Sequence, residues 1–316
     1  MRTRNAFKIA LGNYALVFKN LLYKLCVFTI FAVALRLLLK ITLNPFIETL
    51  RPVFENLLGL VLVIVRGGDL ASTRESLKDS FNSFMSFLSQ NYSGIVITVI
   101  IILVAVILYR FLSGISDCTL MILVNGHMTG MAHRGYLAVM IENLKKILVY
   151  QLIDGLSSIV FTGIASFLVW AVFRLTITYA PMLTLFLTML IIVSMISIYL
   201  TVFSQVMANV LLGDVKSLKK AIKDGLLCKR EYFFKMFFAY ATVVVLLVYL
   251  HASLTVFTFG VGELLLIPFA SLLIVTMKTV DYFTINKKKY FVDYDNIVIP
   301  KELRENDEDL LSSIDI

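Results

Sequence analysis

Charge is scarce in this chain. Only 16% of its 316 residues are Asp, Glu, Lys or Arg, where a soluble domain carries about 25%. Cysteine is scarcer: Cys26, Cys118 and Cys228 are the three, and none stands in a CxxC pair. An odd count without a spacing pattern gives neither a disulfide framework nor a zinc site. No GxSxG, HExxH, P-loop or GxGxxG stretch occurs. The local signatures of serine hydrolases, zinc proteases and nucleotide-binding proteins are therefore missing.

What fills the chain is apolar. Hydrophobic residues make up 59% and the mean hydropathy is +0.88. Such a composition places the chain in a bilayer, and its periodicity is read with lipid as the solvent. The net charge of +8 would suggest nucleic acid as a partner of a soluble protein. In a membrane protein the commoner cause is Lys and Arg held on the cytoplasmic side during insertion, so nucleic acid is not expected. The start, "MRTRNAFK", is basic, and "AVA" at 32–34 imitates a cleavage site. Arg36 and further leucines follow it, which favours an uncleaved first span.

A transmembrane helix needs about 20 apolar residues, since ~1.5 Å per residue must cover a ~30 Å hydrocarbon core. Six segments qualify: Leu21–Leu43, Gly94–Leu112, Ile147–Phe173, Met182–Gln205, Met236–Phe257 and Glu263–Phe283. Pro181 suits the start of the fourth. The stretch 44–65 holds Glu48, Arg51 and Glu55, and its unbroken apolar part, Leu57–Val65, is too short to cross. It reads as a surface-lying helix.

The distribution of Lys and Arg tests this count. With the N-terminus in the cytoplasm, Arg2, Arg4, Lys8, Lys19, Arg110, Arg134, Lys145 and Lys146 fall inside. So do Lys216, Lys219, Lys220, Lys223, Lys229, Arg230, Lys235, Lys287, Lys288, Lys289, Lys301 and Arg304. These are twenty of the 29. Five fall outside: Arg51, Arg66, Arg74, Lys78 and Arg174. The bias predicts six spans with both termini cytoplasmic. A seventh span at 44–65 would invert every later loop. One sizeable outer segment, 44–92, is left. In it Leu77, Phe81, Phe84 and Leu88 recur at helical steps. Two short outer helices are predicted, broken at Gly67-Gly68.

An internal repeat emerges when residues 7–28 are laid on 218–239 without a gap. Lys8 meets Lys219, Ala10 meets Ala221, and Lys24 meets Lys235. A looser copy lies at 131–152. Each is an amphipathic cytoplasmic helix, a basic junction and then two spans, so the chain, with one membrane domain over 1–285, reads as three units of about 1–115, 116–209 and 210–290. Basic and aromatic residues also belong at any membrane junction, and that alone would make the copies look alike. The stretch "GDVKSLKKAIKDGLLCKREYFFK" at 213–235, with its echoes, resembles a broad group of six-span bacterial membrane proteins. That group includes the membrane domains attached to some glycerophosphodiester phosphodiesterases. The resemblance implies an all-α, six-span membrane fold. Phosphodiester chemistry in that group belongs to a separate soluble domain, so no catalytic residue carries over.

Within 213–235, Asp214 is placed to cap a helix. Val215, Leu218, Ile222 and Leu226 form an apolar stripe, with Lys216, Lys219, Lys220 and Lys223 facing away. Such a helix lies in the interface, and each Lys near an anionic leaflet contributes ~1 kcal/mol. Lys216, Lys219, Lys220, Lys223, Lys229, Arg230 and Lys235 are the expected lipid contacts, and Tyr232, Phe233 and Phe234 mark entry into the bilayer.

Charges inside spans are the best functional pointers, because each costs at least ~2.5–3.5 kcal/mol at mid-bilayer. Lys24 and Lys40 lie near span ends and can snorkel; Arg36 lies where it can do the same. Asp154, Lys278 and Asp281 are the candidates for a polar intramembrane path. Lys278 and Asp281 stand at i,i+3, and Asp154 is offered as a cross-bundle partner of Lys278. His127 and His133 in "GHMTGMAH" are six apart, off a common helical face. They and His251 read as structural. Pro268 is expected to kink the sixth span. The tail from 287 turns from basic to acidic and reads as solvated, with "EDLLSSIDI" as a docking motif for a membrane-protein partner.

The expected fold is thus an all-α polytopic membrane protein with six transmembrane helices, cytoplasmic amphipathic helices and a helical outer insertion. The expected role is a non-enzymatic bacterial cell-membrane protein, either an envelope-associated assembly factor or an accessory subunit of a transport system. The alternative is a transporter using the polar path, and third comes a lipid-acting membrane enzyme. No cofactor or metal is expected.

Overall fold

A computed structural model describes residues 2–66, 70–131, 134–176, 181–213, 218–226, 230–293 and 296–299. In chain order they form α1 (Arg2–Gly12), α2 (Ala15–Arg66), α3 (Leu70–Gln90), α4 (Tyr92–Met128) and α5 (Tyr136–Glu142). Then come α6 (Leu144–Thr176), α7 (Pro181–Leu211), α8 (Leu218–Leu226), α9 (Arg230–Thr258) and α10 (Glu263–Ile285). Two-residue strands β1 (Tyr290–Phe291) and β2 (Ile297–Val298) close the described chain as an antiparallel hairpin. Among the described residues six helices are long and apolar enough to cross a membrane: Ala15–Leu38 of α2, then α4, α6, α7, α9 and α10. Helices satisfy every backbone group internally, which lipid requires. The protein is an all-α, multi-pass membrane protein.

Packing divides the chain into two units, Cys26–Arg110 and the combination of Met1–Leu25 with Phe111–Ile316. In the first, Asn56 Nδ2 on α2 donates to Ser80 Oγ at 2.8 Å and to the Ser76 carbonyl at 3.3 Å on α3. Phe31 meets the Tyr109 ring edge-on at 6.0 Å. The separate helix expected at 44–65 is instead the continuation of α2. A fall in hydropathy marks a change of surroundings and not a helix end, and the helix runs on through Pro45 and Pro52. The second predicted helix is α3, with Leu77 half-buried and Phe81 exposed. Gly67 and Gly68, and the side chain of Leu88, lie outside the described residues.

In the larger unit the buried side chains follow an alternating rule. They sit at the start of α2 (Leu16, Val17), α6 (Ile147, Tyr150) and α9 (Met236, Tyr240). They sit at the end of α4 (Leu120 to Met128), α7 (Phe203 to Leu211) and α10 (Leu272 to Phe283). Helices that run alternately up and down share one end in this way, so the core occupies one end of the bundle. At the other end Phe167, Trp170, Phe186, Tyr249 and Phe257 are exposed, as hydrocarbon allows: lipid tails are as apolar as the side chains, so there is no hydrophobic drive to bury them. The central helix is α10, where Leu272, Thr276 and Thr279 are fully buried.

Residues 113–128, expected as the beginning of a cytoplasmic segment, continue α4 as a buried helix. At ~1.5 Å per residue the 37 residues of α4 extend about 55 Å, well beyond the ~30 Å hydrocarbon core. The helix stops where Gly130 takes φ +69°. The Met131 N–H then reaches the Gly126 carbonyl at 2.9 Å and the Gly130 N–H reaches that of His127 at 3.2 Å. This is a Schellman closure, and its left-handed residue favours glycine. His127 therefore belongs to a helical last turn and not to a loop.

Short helices α1, α5 and α8 each precede a long one. Helix α1 buries Ala6, Ile9 and Ala10, and its Phe7 meets Phe269 of α10 edge-on. Helix α8 seats Ala221 and Gly225 against α7: Asn209 Nδ2 donates to the Ala221 carbonyl at 3.4 Å, and the backbone of Val206 lies directly under Gly225. The expected stripe is corrected accordingly. Ile222 is half-buried and Leu226 is exposed, while Lys219, Lys220 and Lys223 face away. Lys235 is exposed at the start of α9. Asp214, Val215, Lys216 and Lys229, with the side chains of Leu218 and Arg230, lie outside the described residues. The stretch after 287, expected to be solvated, begins with the β1–β2 hairpin. Tyr290 is buried beside Phe283 and accepts a hydrogen bond from Asn5 Nδ2 at 3.1 Å. Burial pushes its phenol above the ordinary range.

Candidate functional site

Polar groups inside the larger unit fall at levels set by α10. At the first, Lys24 Nζ of α2 lies 2.8 Å from Asp117 Oδ1 of α4 and donates to Ser271 Oγ of α10 at 3.0 Å. Ser271 in turn donates to Asp117. Beside them Ser116 donates to Asn20 Oδ1 at 2.6 Å, and Asn20 Nδ2 donates to the carbonyl of Pro268 at 3.3 Å. Ten residues along α10, or about 15 Å, is Asp281. Its Oδ2 accepts from Tyr240 of α9 at 3.0 Å, and its Oδ1 lies 3.8 Å from Arg2 Nη1 of α1. The Arg2 guanidinium also sits over the Tyr232 ring at 5.6 Å, within cation–π range.

A third group joins α6 to α7. Asp154 Oδ1 accepts from Tyr199 at 2.6 Å and from Tyr150, one turn away, at 3.0 Å. Tyr199 is stacked on Phe203 at 4.8 Å. Next to it Gln151 Nε2 donates to Cys118 Sγ at 3.1 Å, tying α6 to α4. Lys278 is 8% exposed, and its ammonium meets the thioether of Met207 at 3.6 Å.

Of the three residues singled out from sequence, Lys278 and Asp281 are buried and Asp154 is half-buried, and they are not paired as expected. Asp281 is held by Tyr240 and Arg2, not by Lys278, because the i,i+3 geometry leaves both free to turn to different neighbours across the bundle. Asp154 takes two phenols, and Lys278 meets Met207 in place of Asp154. Lys24, expected to snorkel, instead makes a half-buried pair with Asp117. Sequence reasoning missed Asp117 because it fell in a segment assigned to water, where a charge needs no explanation. The tyrosines left a usable signal, since Tyr150 and Asp154 stand at i,i+4 on one helical face.

The histidines serve elsewhere. His251 Nδ1 contacts Glu263 Oε2, and Thr255 donates to Glu263 Oε1 at 2.9 Å, closing the turn between α9 and α10. His133 lies outside the described residues. Among the described residues no three His, Cys, Asp or Glu side chains converge as a metal site would require. What this arrangement does chemically is hold carboxylates and cations in low dielectric by donors from different helices. No family model, curated protein or solved structure matches the chain.

Proposed function

We propose that this is a non-enzymatic scaffold of the bacterial cell membrane, an envelope-associated assembly factor or an accessory subunit of a transport system. The supporting observation is where its costly interior groups are used. Lys24–Asp117–Ser271 joins α2, α4 and α10, Arg2–Asp281–Tyr240 joins α1, α10 and α9, and Asp154–Tyr199 joins α6 and α7. Each is an inter-helix tie, and such ties make a platform with one rigid end. Its termini and the basic faces of α8 and α9 lie in the cytoplasm against an anionic leaflet in this reading, in line with the Lys and Arg bias. The likeness to the six-span group described above is part of the same proposal.

Two experiments test it. A cysteine at exposed Ser76, in a variant lacking Cys26, Cys118 and Cys228, should react with an impermeant thiol reagent on intact cells. Reaction only after permeabilisation would reverse the orientation. For the role, Asp154→Asn keeps an acceptor for Tyr199, so mild-detergent purification should recover the same co-purifying membrane proteins from the variant as from the native chain.

The second reading is a transporter. It is favoured by the Lys278 ammonium, which has no carboxylate within 4 Å among the described residues, and by Gln205 Nε2, buried without a hydrogen-bond partner. Unspent donors of this kind suit an anionic substrate. Loss of a solute flux in Asp154→Asn at normal expression would establish that reading in place of the scaffold.

A further inference from the structure

A groove of about 780 Å³ opens at the packed end of the larger unit, between α1, the end of α4 and the β1–β2 hairpin. Small-molecule sites measure about 300–1,000 Å³. Ile9 and Met128 line it as buried residues, and Leu11, Met131 and Phe291 line it as exposed ones. Lys8, His127 and Asp293 line it too, so charges of both signs face one space. Lys8 is exposed and has no acidic partner among the described residues. Asp293 is exposed and accepts from Asn296 Nδ2 at 2.7 Å; a carboxylate has room for further donors. A smaller pocket of about 120 Å³ shares His127 and Met131 and carries the space on to Val139 of α5. Arg134 lines that pocket but is engaged by Glu142 at 3.2 Å. The helices on both flanks turn apolar side chains outward: Phe7 and Leu11 of α1 with Tyr14 after it, and Leu137 and Ile141 of α5. Lys8, Lys145 and Lys146 are exposed beside them. Apolar and basic side chains mixed in this way mark helices that lie in the membrane interface. The groove therefore opens at the level of lipid headgroups.

We propose that the groove holds one phospholipid with a phosphoethanolamine head. The phosphate lies against Lys8 and His127, the ammonium against Asp293, and an acyl chain along Leu11, Met131 and Phe291. The exposed apolar rim needs a cover, and the flanking interfacial helices bring acyl chains to it. Lysine binds phosphate as a point charge. Asp293 selects the other end of the head: a purely anionic head would meet its carboxylate, and a purely cationic one would meet Lys8. A primary ammonium donates three hydrogen bonds, which a carboxylate accepts. A quaternary ammonium donates none and is held by aromatic cages, whereas Phe291 is the one aromatic ring lining this groove among the described residues. The proposal holds for a scaffold and for a transporter alike, because none of the groove's lining residues belongs to the inter-helix ties.

The test uses the full chain, with Cys26 and Cys228 replaced by serine and the buried Cys118 kept. Met131→Cys is labelled with bimane and reconstituted in phosphatidylcholine vesicles that contain a minor fraction of phosphatidylethanolamine brominated on its acyl chains. Phosphatidylglycerol, brominated alike and at the same fraction, is the comparison. Quenching at Met131→Cys should be several-fold stronger with the ethanolamine lipid. At Leu265→Cys, an exposed position at the opposite end of α10, the two lipids should quench equally. Asp293→Asn, at an exposed site, should abolish the preference at Met131→Cys. Equal quenching by the two lipids at Met131→Cys in the otherwise native chain would make the groove a surface bathed by bulk lipid. Stronger quenching by phosphatidylglycerol would assign it to an anionic head, and no quenching by either would leave it to water or protein. Each of these results, or a preference that survives Asp293→Asn, overturns the proposal.

Discussion

Asp117→Leu is expected to destabilise the protein by about 3 kcal/mol, because it strands the Lys24 ammonium inside the helix bundle. Removing one member of a buried ion pair costs roughly 3–5 kcal/mol, and an isolated cation at mid-bilayer costs ~2.5–3.5 kcal/mol. The Asp117 side chain is 34% exposed and that of Lys24 only 12%, which sets the expectation at the lower end of the first range. The double variant Lys24→Met/Asp117→Leu removes both charges and should be more stable than Asp117→Leu alone. Thermal unfolding of the four proteins of this cycle in one detergent measures the coupling. Simple additivity would mean that the pair contributes nothing to holding α2, α4 and α10 together. Ser271→Ala, which removes a neutral bridge, should cost only about 1 kcal/mol.

Gly225→Ala should release α8 from α7. A Cβ built on Gly225 would lie 2.7 Å from the backbone nitrogen of Val206 and 2.8 Å from its Cα. Real Cβ atoms do not approach backbone this closely, and a helix backbone cannot rotate aside as a side chain can. The helix must therefore lift, at a cost of about 1–3 kcal/mol, as for other overpacked contacts. Small residues permit just such close backbone approach between membrane helices. Hydrogen exchange of 218–226 should accelerate in the variant. Leu226→Ala, at an exposed position, is the control and should change exchange little. Equal exchange in Gly225→Ala and the native protein would return α8 to the role first read from its lysines, that of a lipid-surface anchor.

These two sites show where sequence reasoning ends. Six runs such as Met236–Phe257 announce themselves because lipid imposes a composition that no neighbour is needed to explain. The helical pattern of α3 and the start of α7 at Pro181 were equally local matters. The reach of α2 and α4 was not, because hydropathy reports what surrounds a helix and not where its backbone stops. Asp117 was missed for that reason: residues 113–128 are polar enough to pass for a loop. They are polar because Ser116, Asp117 and Cys118 face Asn20, Lys24 and Gln151 on other helices.

Within α8 the lysines face outward as their spacing predicts, while the face that docks is made by Ala221 and Gly225, which a search for large apolar residues passes over. Asp154, Lys278 and Asp281 were legible as costly residues by their position alone. Their partners were not, because Tyr199, Met207, Tyr240 and Arg2 are distant in the chain and only packing brings them near.

By itself, then, the sequence determined the solvent of this protein, the number of its spans, and which side chains are too expensive to bury alone. The tertiary structure decided how each expense is met, which end of the bundle is packed, and which short helices are built into it. Burial in lipid is a property of each segment's own composition. A counter-charge, a phenol or a glycine under a neighbouring backbone is a property of two segments at once.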